Sequence, residues 1–221
     1  MVEVSTSILS VKKEEALAAF YNLEVAKTDY FHIDVMDGKF VKNNTNELMQ
    51  DYCTNIKQIS NIPLDVHLMV EDVKKYIDLY IPFEPNIITF HVEACENEEE
   101  VLDIIRYIKQ NNIKCGISVK PNTKIEEIYK YLELVHMVLV MTVEPGEGGQ
   151  KLIPDTIKKV KELKKHIEKN NIDIDIEVDG GINLENKEEL KKAGVNIIVA
   201  GSSIINSKNY KDTIERIKET I

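Results

Sequence analysis

His32 and Asp34 in FHIDVMDG, His67 in LDVHLMV and Asp179 in IEVDGGI combine two imidazoles with two carboxylates. Two neutral imidazole nitrogens and two carboxylate oxygens suit one divalent cation, Zn²⁺, Fe²⁺, Mn²⁺ or Co²⁺, among which the ligand types do not choose. The same two carboxylates could take a proton from one side of a carbon and return one to the other. Taken singly, a strand His or Asp is more often a hydrogen-bonded core residue. Here three separate segments repeat the pattern, and His32 and Asp34, two apart, share one face of a strand. His91, in NIITFH, shares a face with Thr89 but is followed by no partner motif, so it reads as a supporting or structural histidine. His136 and His166 lie in helical or connecting segments and carry no such signal.

Three glycine-bearing turns follow one another late in the chain: EPGEGGQ (144–150), DGGIN (179–183) and AGSSI (200–204). Glycine lets backbone approach a ligand closely, and successive free N–H groups make a nest for an anion. One Gly-Gly pair would be an ordinary turn. Three such turns after consecutive strands point to a phosphate, with Gly181, Gly201 and Ser202 as first candidates. Glu147, in the middle of the first of these turns, would repel a dianion and is expected to face solvent.

The elements that must position these groups alternate. Strands are predicted at 4–9, 30–34, 64–68, 86–91, 114–119, 137–142, 175–178 and 196–201, each a short β-rich run. Between them lie amphipathic segments such as EEALAAFYNL, EEEVLDIIRYIKQNN and PDTIKKVKELKKHIEKNN. In the last, Ile157, Val160, Leu163 and Ile167 form one stripe, Pro154 suits a first turn, and the Lys-rich opposite face reads as solvated. Eight strand–helix repeats in this length predict an α/β fold, a single parallel (β/α)8 TIM barrel spanning 1–221 as one domain. The competing architecture is a doubly wound open sheet. Closure is favoured because His32, Asp34, His67, Asp179 and Gly201 all fall at strand C-termini, which one barrel mouth would gather and an open sheet would spread.

Composition narrows the partners. A formal charge of -10, from 28 basic and 38 acidic residues, argues against nucleic acid and anionic membrane surfaces. The opening MVEVSTSIL has no basic region or apolar core of a secretion signal, so a cytoplasmic location is expected. Cys53, Cys95 and Cys115 are odd in number and widely spaced, and read as reduced thiols.

Taken together, the chain resembles the ribulose-phosphate 3-epimerase family of the ribulose-phosphate-binding barrel superfamily. The resemblance rests on SILS (7–10), HIDVMDGKFV (32–41), LDVHLMVE (64–71), HVEA (91–94), MTVEPGEGGQ (141–150), EVDGGIN (177–183) and VAGSSI (199–204). It implies a metal-dependent isomerase of the pentose phosphate pathway, interconverting D-ribulose 5-phosphate and D-xylulose 5-phosphate through a cis-enediolate. By the resemblance, His32, Asp34, His67 and Asp179 hold one metal per subunit, and Asp34 and Asp179 are also the acid/base pair. Ser7 contacts the polar end of the substrate, His67 also belongs to the substrate-binding set, Met36 and Met69 wall the reacting carbon, and Gly148, Gly149, Gly181, Gly201 and Ser202 form the phosphate site. A homo-oligomer, dimer or hexamer, is also implied, although 6% aromatic residues and no Trp offer no evident interface anchor.

The chain departs from the family pattern in VKNNTNEL (41–48), where Pro, Asn and a Phe-Gly-Pro stretch are usual, and at Glu147, where Phe is usual. The alternatives are a 3-epimerase of another ketose phosphate such as D-allulose 6-phosphate, a Schiff-base aldolase using Lys120, and a non-catalytic binding barrel. Pro121 and Asn122 after Lys120 favour a solvated lysine, and a binding barrel predicts loss of a ligand or carboxylate, of which none is missing.

Overall fold

In the computed structural model, which describes residues 2–219, eight strands pair in chain order and the eighth returns to the first. They are β1 Glu3–Ser7, β2 Tyr30–Met36, β3 Leu64–Met69, β4 Ile87–His91, β5 Lys114–Val119, β6 Met137–Met141, β7 Asp175–Asp179 and β8 Ile197–Ala200. All neighbouring pairs are parallel, including β8 with β1. The architecture is the expected closed (β/α)8 barrel and not an open sheet.

Within the closed barrel the strands alternate between two kinds of buried surface. On β2, Phe31, Ile33 and Val35 join the main apolar core under the helices, as do Leu64, Val66 and Leu68 on β3. The intervening His32, Asp34, Asp65 and His67 are equally buried but polar, and face the barrel axis. Barrel interiors are commonly filled by bulky branched side chains. This one holds a polar column that also includes Ser5, Thr89 and Glu177. Gly116 admits Thr89 to the interior: a Cβ at Gly116 would lie 2.3 Å from Thr89 Oγ1.

The outer layer comprises α1 Ala16–Ala26, α2 Asn46–Ile59, α3 Val73–Tyr80, α4 Glu98–Gln110, α5 Asp155–Asn170, α6 Lys187–Ala193, the single turn α7 Ser202–Ile205, and α8 Tyr210–Lys218. The β5–β6 crossover is instead a run of 3-10 turns, Ile125–Leu134. Asp72, Asn97 and Asn209 cap α3, α4 and α8 by accepting backbone N–H groups. On α5 the predicted stripe of Ile157, Val160, Leu163 and Ile167 is buried, and Pro154 stands just before the helix.

The Lys-rich face of α5 is not uniformly solvated. Lys159 turns inward, and its Nζ donates to the carbonyls of Lys120 (2.8 Å), Pro121 (2.8 Å) and Thr123 (2.6 Å). Three converging carbonyls replace the ammonium's hydration, which local periodicity along the helix cannot reveal. The loop after β5 is thereby fastened to α5.

Candidate active site

The polar column opens at the C-terminal mouth of the barrel. Register sets its geometry: Ser7 pairs with His32, Asp34 with His67, and Met141 with Asp179. Asp34 and Asp179 thus lie inside the ends of β2 and β7, where strand pairing holds their backbone still.

Four side-chain atoms face one another. His32 Nε2 is 3.4 Å from Asp34 Oδ1 and 4.0 Å from Asp179 Oδ2, and His67 Nδ1 is 3.5 Å and 3.8 Å from the same two oxygens. His32 and His67 are fully buried, while the Asp179 side chain remains 17% accessible. Among the described residues, neither His32 Nε2 nor His67 Nδ1 has a hydrogen-bond partner. Tetrahedral ligand atoms about 2.0–2.2 Å from a common centre stand roughly 3.3–3.6 Å apart. Orphaned nitrogens and carboxylate oxygens at nearly this spacing fit a divalent cation, whose identity the donor types leave open.

Each member is held from behind. Ser7 Oγ donates to Asp34 Oδ2 at 2.7 Å, and the Asp34 carbonyl accepts the Thr45 hydroxyl at 2.6 Å. His32 Nδ1 meets Asp65 Oδ2 at 2.6 Å, and Asp65 also accepts from Ser5 Oγ at 2.7 Å. The Asp179 carbonyl accepts from the N–H and hydroxyl of Thr142. Asp65 was not singled out from the sequence; its signal was its position two residues before His67 on the same strand face.

Electrostatics separates the two outer carboxylates. Burial, reinforced by the Asp34 charge, pushes Asp179 up to about 6. Burial would also raise Asp34, but the imidazoles of His32 and His67 overcome it and hold Asp34 well below the usual carboxylate range. His32 is drawn toward its charged form, since the Asp65 and Asp34 charges outweigh the opposing effect of burial. Deeper in the barrel, burial and the Asp65 charge hold Glu177 well above the ordinary range, and among the described residues neither of its oxygens has a hydrogen-bond partner.

Above this cluster lies a cleft lined by Ser7, Asp34, Met36, Met69, Asp179, Gly148, Gly149, Gly181, Gly201 and Ser202. Every predicted substrate-side residue except the buried His67 therefore reaches one cavity. Met141, not anticipated, adds a third thioether to its wall, and among the described residues no Lys or Arg lines it. Glu147 is exposed at its rim, as expected. The loop that carries it is tied into a ring by Gln150 Nε2, which donates to the carbonyls of Glu144 (2.7 Å) and Glu147 (2.9 Å). Gly181 has φ +68°, and a Cβ there would meet Leu152 N at 2.3 Å, so only glycine brings the two loops together.

His91 is no candidate ligand: its Nε2 is 3.0 Å from His67 Nε2 and its Nδ1 3.1 Å from Glu93 Oε2, behind the site. Burial, partly offset by Glu93, lowers His91 to about 4 and keeps the ring neutral. Lys120 Nζ lies 3.9 Å from the centroid of the Phe40 ring and is partly buried, where a freely solvated lysine was expected. The ring offers the ammonium a partner supplied by a distant loop.

A closed parallel barrel with a His₂Asp₂ cluster at its C-terminal mouth, beside a glycine-rich cleft, is the architecture of a (β/α)8-barrel enzyme with capacity for a metal. The chain belongs to the ribulose-phosphate 3 epimerase family, whose model matches residues 3–205. It is 41% identical to the ribulose-phosphate 3-epimerase of Helicobacter pylori strain J99 over 88% of this chain and 87% of that one. The Bacillus subtilis ribulose-phosphate 3-epimerase is 36% identical over 99% of both chains. Among solved structures, KGPDC from Streptococcus mutans superposes with a TM-score of 0.73 at 12% identity, covering 98% of this chain and 95% of that one. This last likeness is one of fold alone.

Proposed function

We propose that the chain, as one catalytic domain over residues 1–221, is a ribulose-phosphate 3-epimerase interconverting D-ribulose 5-phosphate and D-xylulose 5-phosphate. The observation that carries the reading is the convergence of Asp34 and Asp179 on two orphaned imidazole nitrogens at the floor of a glycine-lined cleft. His32, Asp34, His67 and Asp179 would hold one divalent ion, Zn²⁺ first among the candidates. When bound, that ion supplies Lewis-acid stabilisation of the negative charge that develops as the C3 proton leaves.

The chain's own groups do the rest. One aspartate accepts the C3 proton, and the other, protonated, returns one on the opposite face and inverts the centre. Which begins protonated follows the direction of reaction. The unequal environments of Asp34 and Asp179 support one shared proton, because the charge on Asp34 raises the proton affinity of Asp179. Ser7 orients Asp34 through its 2.7 Å bond and, lining the cleft, can contact the substrate. Met36, Met69 and Met141 form a polarisable apolar wall against the reacting carbon. With no cation in the lining, the phosphate is bound by backbone N–H groups of Gly148, Gly149, Gly181, Gly201 and Ser202, the last opening α7.

We also read the protein as a cytoplasmic homo-oligomer. Leu17, Tyr21 and Val25, four apart on α1, are each more than half exposed, while the opposite face of the helix is buried. A helix apolar on both faces seeks a second partner.

The test is NMR in D₂O with D-ribulose 5-phosphate and metal-replete protein. The expected result is deuterium at C3 with formation of xylulose 5-phosphate, abolished in Asp34→Asn. Absence of exchange in folded, metal-loaded protein would exclude this substrate.

A further inference from the structure

A chain of hydrogen bonds leaves the site on its β4 side. His67 Nε2 faces His91 Nε2 at 3.0 Å, and His91 Nδ1 faces Glu93 Oε2 at 3.1 Å. Glu93 Oε1 accepts the Lys120 N–H at 2.7 Å and the Thr123 hydroxyl. Both imidazoles are fully buried. The far end is anchored, because Lys159 Nζ binds the carbonyls of Lys120, Pro121 and Thr123.

Two facing ring nitrogens need one proton between them, and local geometry does not say which ring carries it. The ends of the chain decide. The Lys120 N–H can only donate, so Glu93 Oε1 is an acceptor, and a carboxylate with several donors stays ionised. Its other oxygen can then only accept, which puts a proton on His91 Nδ1. A neutral His91 presents a bare Nε2, and that nitrogen must accept from His67 Nε2–H. His67 is left with Nδ1 turned toward Asp34 Oδ1 and Asp179 Oδ2, at 3.5 and 3.8 Å.

We propose that Glu93 is a positioning residue which, acting through His91, fixes a proton on His67 Nε2 and so reserves His67 Nδ1 for the space shared with Asp34 and Asp179. This rests on the reading of His67 as a metal ligand given above. The two candidate ligand histidines are thus oriented by different means. His32 meets its carboxylate, Asp65, directly at 2.6 Å, whereas His67 reaches Glu93 through an interposed imidazole. Phe40, 5.0 Å from His91 between ring centroids, covers that imidazole, and Lys120 caps Phe40 in turn.

Glu93→Gln keeps the shape and reverses the polarity. The Gln carbonyl must serve the Lys120 N–H, which leaves its amide to donate to His91 Nδ1. The His91 proton then moves to Nε2, His67 Nε2 becomes the acceptor, and the His67 proton falls on Nδ1, where a metal would have to displace it.

The experiment is long-range ¹H–¹⁵N correlation NMR of ¹⁵N-histidine-labelled protein, with Zn²⁺ and without, combined with Zn²⁺ titration. The expected wild-type spectrum has His91 protonated at Nδ1 with bare Nε2, and His67 protonated at Nε2. Glu93→Gln should move the His91 proton to Nε2 and weaken Zn²⁺ about 10- to 100-fold. A wild-type His91 protonated at Nε2 overturns the proposal without recourse to any variant. So does a folded Glu93→Gln protein with unchanged tautomers and unchanged Zn²⁺ affinity. The expected tautomers in a wild-type protein that binds no divalent ion would uphold the Glu93 assignment and overturn the reading of the site as a metal centre.

Discussion

The Asn43 side-chain amide donates to the Gly146 carbonyl at 2.7 Å, joining two loops 103 residues apart in the chain. These are the two segments in which the chain departs from the family pattern, VKNNTNEL and the loop carrying Glu147. Val41 reinforces the contact, since a Cβ on Gly146 would lie 3.0 Å from Val41 Cβ. The two departures are therefore one structural unit at the rim of the cleft. Removing a single neutral hydrogen bond costs about 1 kcal/mol, or roughly five-fold in an equilibrium constant. Asn43→Ala is expected to raise KM for the ketose phosphate about five-fold with a smaller change in kcat, read by steady-state kinetics.

Asp179 links stability to pH in the metal-free protein. Its folded value of about 6 exceeds the ordinary 3.8. Between those values the unfolded chain loses this proton while the folded chain keeps it, so stability falls as pH rises through the window and the cost persists above it. Asp179→Asn removes a cost of about 3 kcal/mol. At pH 7.5 the metal-free variant should melt several degrees above metal-free wild type, with the gap closing below about pH 4. Thermal unfolding at both pH values checks this. The same variant should lose C3 exchange.

Gly116 and Thr89 make a steric prediction. Gly116→Ala forces a Cβ against Thr89 Oγ1 at 2.3 Å inside a closed barrel and should cost about 1–3 kcal/mol. Chemical denaturation should show a lowered midpoint with an unchanged slope. The double variant with Thr89→Ala should recover most of the loss, because it removes the atoms in conflict.

The exposed stripe on α1 predicts assembly. Leu17→Glu with Tyr21→Glu should reduce the mass found by light scattering to that of one chain, with the circular dichroism of the barrel retained. A mass unchanged from wild type would assign assembly to another surface.

Much of this protein is legible in its sequence because strand periodicity is local. Alternation of two residues puts Phe31, Ile33 and Val35 on one side of β2 and His32 and Asp34 on the other, whatever the rest of the chain does. The glycine turns after the last three strands are equally local, since they are read from residue type. What only the tertiary structure decided is pairing at long sequence separation. Strand pairing brings Ser7 to Asp34, and ring closure sets Asp34 and Asp179 around the same two imidazoles. Lys159 turns inward because three carbonyls of another segment wait for it, and Tyr21 stays outside because Ala16, Ala19, Phe20 and Leu23 supply the face of α1 that is buried. The choice of His32 Nε2 but His67 Nδ1 to face the two aspartates follows from Asp65 on one side and His91 on the other. Residue type supplies an imidazole with two nitrogens. Which one is free depends on the hydrogen bond the other makes, and that partner is a property of the fold.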